Sequence, residues 1–155
     1  IYMAIYVTMN IGMFAFILTM EREGRPVSDI ASLHMYSKQE PLKALCVAAL
    51  MFSMAGVPPL VGFFGKFYVL RAAYEANMAW LAVAGVLASV IGAFYYIRIV
   101  YFMYFGEVCE PLDANPARRL HIILVVSAAL MIAGTFFSLF GIESLAQTAA
   151  DSLAN

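Results

Sequence analysis

The sequence predicts an all-α integral membrane protein with four transmembrane helices, the second of them discontinuous at a Gly-x-Pro-Pro break. Composition is the first reason: 64% of the 155 residues are hydrophobic and only 12% are charged, a balance typical of membrane proteins. The second reason is that the apolar residues form four long stretches, each near the roughly 20 residues that a helix needs to cross a bilayer. The third is a glycine and two prolines inside the second stretch, which a continuous helix does not accommodate.

We expect the four spans at about residues 1–20, 43–71, 78–105 and 120–140, in one polytopic membrane domain that comprises residues 1–155. The chain starts at Ile1, already inside an apolar run, with no initiator methionine or leader segment before it. We therefore expect this chain to be the C-terminal part of a longer membrane protein.

The first span has only small or polar interruptions, among which Asn10 is suited to hydrogen bonding between helices. Residues 21–42 follow it, and their charges and prolines indicate an aqueous loop with a short interfacial helix at about 28–36. His34 lies in this loop. It is either a solvated histidine or a point of proton entry, and the sequence leaves both open.

The second span is broken near its middle by Gly56, Pro58 and Pro59. Because proline has no N–H and clashes with the carbonyl four residues earlier, the two prolines release the carbonyls of Met54 and Ala55 from helical pairing. Lipid offers no donor for these carbonyls, so we expect the break to be buried in protein or to line a wet cavity. A kink with a purely architectural role is the alternative.

One charge, Lys66, lies well inside the second span. A lysine at membrane depth costs about 2.5–3.5 kcal/mol on insertion scales and usually faces a bundle interior or an ion pathway. Gly62 and Gly65 flank it and leave space for water or for a partner side chain beside the lysine. Since Arg71 follows five residues later, the alternative is that Lys66 extends to the membrane surface as an anchor.

No Asp or Glu lies in the interior of a predicted span, so we expect no acid of this chain to pair with Lys66. An unpaired ammonium is costly to bury. We therefore expect Lys66 either to be neutral for part of the time or to pair with a group outside this chain. A lysine that switches between these states, beside free carbonyls and water, is suited to relaying protons.

The third span, residues 78–105, carries small residues at helical spacing, a pattern that lets membrane helices pack closely. Its Arg98 is either an anchor at the membrane surface or part of a polar axis. The fourth span, residues 120–140, contains no charge, and the tail beyond it contains no Lys or Arg.

Basic residues are concentrated in the first loop and in the third loop. By the positive-inside rule these two loops are cytoplasmic, and the second loop and the C-terminus lie on the opposite, periplasmic side. The second span then runs outward. Lys66 is therefore expected between the centre of the bilayer and its outer face.

The sequence gives no reason to expect a cofactor, a metal or nucleic acid on this chain. The net charge is −1, and a strongly basic balance is what nucleic-acid binding requires. Cys46 and Cys109 form no metal-ligand or disulfide pattern, and no phosphate-binding or dinucleotide motif is present. If the protein serves a redox enzyme, we expect the redox cofactors elsewhere.

Two stretches, MFSMAGVPPLVGFFGKFYVL and GVLASVIGAFYYIRIVYFMYF, strongly resemble the antiporter-like membrane subunits of proton-pumping NADH–quinone oxidoreductase, respiratory complex I, and within them the subunit N family. The resemblance implies that this chain forms the last four spans of such a subunit. By it Lys66 matches the essential lysine of the family's discontinuous helix, implicated in releasing protons to the outer side. Pro58 and Pro59 match the break, and Gly62 and Gly65 match its small flanking residues.

The resemblance implies a subunit that contributes to proton translocation coupled to electron transfer to quinone, in a bacterial inner membrane or an equivalent energy-conserving membrane. Its partners would be the other membrane subunits of complex I, the lipid bilayer, protons and water. NADH, FMN, iron–sulfur clusters and quinone would bind to other subunits, so this subunit is enzymatic only as part of the complex. A cation/proton antiporter subunit and a purely structural membrane subunit are the alternatives.

Overall fold

The computed structural model describes residues 2–107, 110–113 and 118–140, with side chains up to residue 135. The tail from residue 141 and Cys109 lie outside the described residues. The fold is built from helices and one small hairpin. The elements are α1 (Tyr2–Ile17), β1 (Glu21–Arg22), β2 (Arg25–Pro26), a 3₁₀ turn (Ile30–Leu33), α2 (Tyr36–Gln39), α3 (Pro41–Ala55), α4 (Val61–Glu75), α5 (Ala79–Tyr104) and α6 (Arg118–Phe140).

Helices occupy all four stretches in which we expect spans. The first, third and fourth stretches each contain one helix, and the second contains two, α3 and α4. By length and composition, α5 and residues 118–135 of α6 are apolar enough to cross a membrane, whereas α1 and α3 are apolar but shorter. Helix α1 ends before the expected boundary because the chain tightens at Thr19, whose N–H and hydroxyl both bond to the carbonyl of Phe16.

Helix α3 is the centre of the bundle. It packs against α1, α5 and α6, and it carries four of the five described residues that have no exposed surface: Ala44, Val47, Leu50 and Ser53. Because α3 is packed on several sides, apolar residues are found on most of its faces. The end of α3 at Ala55 therefore lies against other helices of the chain.

The first and third loops meet at one end of the bundle. The backbone N–H of Gly24, in the β1–β2 hairpin, donates to the carboxylate of Asp113 at 2.9 Å, and the N–H of Asp113 donates to the carbonyl of Glu21 at 2.8 Å. Arg22 donates to the carbonyl of Glu110 at 3.0 Å. These contacts put both basic loops on the same side, as the alternation of four spans requires.

The expected interfacial helix is two short elements rather than one, a 3₁₀ turn capped by Asp29 and then α2. Between them lies His34, whose ring stacks on Phe102 of α5 at 4.6 Å between centroids. The guanidinium of Arg98 lies 5.4 Å from the same Phe102 ring. His34 is therefore partly exposed and also packed against α5, a contact that the sequence did not predict.

Candidate functional site

The break between α3 and α4 is closed by local backbone hydrogen bonds. Gly56 follows the last residue of α3 in a left-handed conformation, with φ of +84°, which glycine adopts without steric cost. Its N–H and that of Val57 bond to carbonyls in the last turn of α3, at 3.0–3.1 Å. This is a C-cap of the type that commonly ends a helix at glycine. Pro58 and Pro59 then lie in the connection, and α4 begins at Val61.

The Lys66 side chain bonds to the carbonyls at the end of α3. Its Nζ donates to the carbonyl oxygen of Met54 at 2.8 Å and to that of Ala55 at 3.4 Å. These are the two carbonyls that the prolines were expected to release. The C-terminal end of a helix also carries partial negative charge, which favours a cation there. The break therefore supplies both the geometry and the charge that hold Lys66.

The sequence did not predict that Lys66 has hydrogen-bond partners within this chain. No acid is involved: among the described residues the ion pairs are Arg22–Glu110, Lys43–Glu40 and Arg71–Glu75. Backbone acceptors take the place of the acid. The freed carbonyls and the lysine can both be identified from the sequence, but their contact depends on how the start of α4 packs against the end of α3.

Gly62 allows the start of α4 to touch the end of α3. Its N–H donates to the hydroxyl oxygen of Ser53 at 3.1 Å, and a Cβ at this position would overlap the Ser53 carbonyl oxygen. Gly65 faces α1, where a Cβ would lie 3.3 Å from Cδ1 of Ile5. Directly beside the lysine lies Gly56, at which a Cβ would be 3.2 Å from Cδ of Lys66.

Sequence reasoning missed Ser53. Its hydroxyl satisfies one of the N–H groups that a helix start leaves unpaired, and the side chain is fully buried. A polar residue inside an apolar run, shortly before a proline break, was the available signal. Ser53 thus joins the two halves of the broken stretch.

Two clefts open beside Lys66, with volumes of about 260 and 230 Å³. The first lies between α4 and α5 and includes Leu70 and Val86, toward the α4–α5 connection. The second lies between α1, α4 and α5 and includes Gly62, Met9 and Tyr96. Space beside the lysine is therefore present, and Gly62 borders it together with Lys66. Lys66 is half-buried at the place where the two clefts come together.

The described residues include no group of three or more His, Cys, Asp or Glu side chains that could hold a metal. Cys46 is buried in α3 as a free thiol. The chemistry available at the break is therefore that of an amine, backbone carbonyls and hydroxyl groups. The amine and the hydroxyl groups donate hydrogen bonds, and the carbonyls accept them.

Comparison with known proteins places this arrangement among membrane proteins. The family model described as NADH:quinone oxidoreductase/Mrp antiporter, TM, matches residues 1–92. NADH-quinone oxidoreductase subunit N of Rhodobacter capsulatus is 54% identical over 155 residues, which is 100% of this chain and 32% of that protein. Subunit N of Jannaschia sp. is 58% identical over 156 residues, 99% of this chain and 32% of that protein.

Among solved structures, respiratory complex I from Thermus thermophilus with bound aureothin contains a chain with the same fold. The TM-score is 0.76 at 23% identity, over 90% of this chain and 32% of that one. The present chain thus spans about a third of the length of the relatives that it matches.

Proposed function

Because the chain belongs to the NADH:quinone oxidoreductase/Mrp antiporter transmembrane family, we propose that it is part of subunit N of a bacterial NADH–quinone oxidoreductase and that Lys66 relays protons in it. The observation that carries the proposal is the bond from Lys66 Nζ to the carbonyls of Met54 and Ala55. It supports the proposal because the titratable group lies at a helix break and beside two clefts.

The bond gives Lys66 a state in which its proton is held. Carbonyl oxygens only accept hydrogen bonds, and the end of α3 adds partial negative charge, so this position stabilises the ammonium. A small movement of α4 against α3 would separate Nζ from these two oxygens and leave the ammonium without them. The proton would then pass to water in a cleft. Forming and breaking these two bonds would in this way let Lys66 bind and release a proton.

The proposed direction of release is outward. With the first and third loops on the cytoplasmic side by the positive-inside rule, α3 runs from the cytoplasm to the break and α4 continues to the periplasmic side. Lys66 then belongs to the outward half of the path, and the C-terminus is periplasmic. The cleft that reaches Leu70 and Val86 is the exit on this proposal.

The neighbours proposed for this chain are other membrane subunits of the complex and lipid. Much of α5 is apolar and exposed in the described chain, including Val83, Leu87, Val90 and Phe94. Pro58 and Pro59 are exposed as well, and a membrane break requires protein or water around it. Electron transfer, with NADH, flavin, iron–sulfur clusters and quinone, is assigned to other subunits.

The proposal is tested with Lys66→Ala and Lys66→Arg in the complete subunit, assembled in the whole enzyme in inside-out membrane vesicles. NADH-driven quinone reduction and proton uptake are measured together, with Lys38→Ala, an exposed loop lysine, as the control. We expect Lys66→Ala to lose proton uptake, Lys66→Arg to retain part of it, and Lys38→Ala to match the wild type.

Two results would contradict the proposal. Wild-type proton uptake in both Lys66 variants, with normal assembly, would make Lys66 an anchor. Proton flux that depends on sodium and proceeds without NADH would indicate a cation/proton antiporter instead.

A further inference from the structure

Ser89 of α5 lines the same two clefts as Lys66. The first cleft and the second cleft share two lining residues, Lys66 and Ser89. The other residues of each wall border one cleft only. Lys66 and Ser89 therefore lie at the boundary between the two clefts.

The Ser89 hydroxyl differs from other helical hydroxyls in the part of the chain that the structure describes. Thr8 and Thr135, also on apolar helices, donate to carbonyls four residues earlier, at 2.8 and 3.3 Å, the usual arrangement for a helical hydroxyl. Among the side-chain hydrogen bonds of the described residues, none involves the Ser89 hydroxyl. The Ser89 residue is also partly exposed. The hydroxyl is therefore accessible from the clefts and available to water.

The amine of Lys66 needs a donor once it has lost its proton. An ammonium has three donors and no acceptor, and the carbonyls of Met54 and Ala55 take two of them. A neutral amine has a lone pair, which a carbonyl oxygen cannot satisfy. A hydroxyl or a water molecule can. Tyrosine hydroxyls are found only in the second cleft, whereas Ser89 borders both.

We propose that Ser89 is a positioning residue for proton transfer: its hydroxyl holds a water molecule at Lys66 and donates, directly or through that water, to the neutral amine. This inference rests on the proposed relay role of Lys66. The proton leaves the ammonium for water, and the Ser89 hydroxyl keeps its own proton throughout. Ser89 thus positions the groups that exchange the proton and stays neutral itself.

Ser89→Ala removes the hydroxyl with little change in volume, and Ser89→Thr keeps it. Ser127→Ala, a buried serine of α6, controls for the loss of any hydroxyl in an apolar helix. In vesicles of the whole enzyme we expect Ser89→Ala to slow proton uptake about two- to twelve-fold, the effect of one lost neutral hydrogen bond. It should also shift the pH profile of turnover, while Ser89→Thr and Ser127→Ala resemble the wild type.

Hydration of Ser89 is tested separately from pumping. Ser89→Cys, in a background with Cys46 and Cys109 replaced, should react with a small charged thiol reagent. Leu87→Cys, on the exposed apolar face of α5, should not.

The outcomes separate the two proposals. Wild-type rate and pH profile in Ser89→Ala, with pumping lost in Lys66→Ala, would overturn the role of Ser89 and leave the relay intact. An unreactive Ser89→Cys would overturn the role as well, because no water would reach the hydroxyl. Normal pumping in Lys66→Ala would remove the relay, and the role of Ser89 with it.

Discussion

Nζ of Lys66 lies 2.8 Å from the carbonyl oxygen of Met54, twelve residues earlier in the chain and four residues before Pro58. Pro58 frees the carbonyl of Met54, and Lys66 binds it. The proline and the lysine therefore act on the same group. The contact is charge-assisted when Lys66 is protonated, and hydrogen bonds of that kind are worth about 1.5–3 kcal/mol. Its strength depends on the distance between the end of α3 and the first turns of α4.

Replacement of both prolines should remove the carbonyl acceptors of Lys66. In Pro58→Ala/Pro59→Ala the backbone regains two N–H groups, which can pair with the carbonyls of Met54 and Ala55 in a continued helix. Lys66 then loses its acceptors, and we expect proton uptake to fall about ten- to a hundred-fold, which corresponds to the 1.5–3 kcal/mol of a charge-assisted bond. The fall is measured as proton uptake in vesicles, and assembly of the complex is checked on native gels. Unchanged uptake would mean that the carbonyls are not needed.

Gly62→Ala should destabilise the subunit through overpacking. The added methyl group would overlap the Ser53 carbonyl, and such insertions cost about 1–3 kcal/mol. Gly92→Ala is the matched control, because its Cβ would meet only Tyr96, at an ordinary 3.7 Å. Thermal stability of the purified complex measures the difference. Equal melting temperatures for the two variants would show that α3 and α4 are not in close contact here.

His34→Phe should leave proton pumping unchanged. A phenylalanine keeps the stacking of ring 34 on Phe102 but cannot carry a proton, so the variant separates packing from titration. His34→Ala should instead lower stability by about 0.5–1.5 kcal/mol through loss of the ring contact. Proton uptake and thermal stability are measured on both variants. Reduced uptake in His34→Phe, with normal stability, would favour the proton-entry role.

The proposed orientation predicts which loops are reached from each side. Lys38→Cys in the first loop and Ala76→Cys in the second are both at exposed positions, and Cys109 is replaced by serine to remove background. An impermeant maleimide should label Ala76→Cys in right-side-out vesicles and Lys38→Cys in inside-out vesicles. The reverse pattern would invert the topology and assign Lys66 to the inward half of the path.

Local features of the sequence predicted the main elements of the site. Apolar stretches located the helices, because the backbone hydrogen bonds of a helix are satisfied within a short segment. Pro58 and Pro59 indicated the position of the break, because each lacks the N–H that would pair with the carbonyl four residues earlier. Lys66 was recognisable as a costly charge at membrane depth. The resemblance to the antiporter-like subunits was carried by these same residues.

Contacts between elements were decided only by the tertiary structure. The sequence by itself determined that the carbonyls of Met54 and Ala55 are free and that Lys66 lies in the following apolar segment, but not that they meet. That contact requires the start of α4 to pack closely against the end of α3, which Gly62 and Ser53 permit. His34 likewise reads as a loop residue until the fold brings Phe102 against it. Helix formation is encoded residue by residue, whereas packing depends on the shapes of surfaces that are distant in the chain.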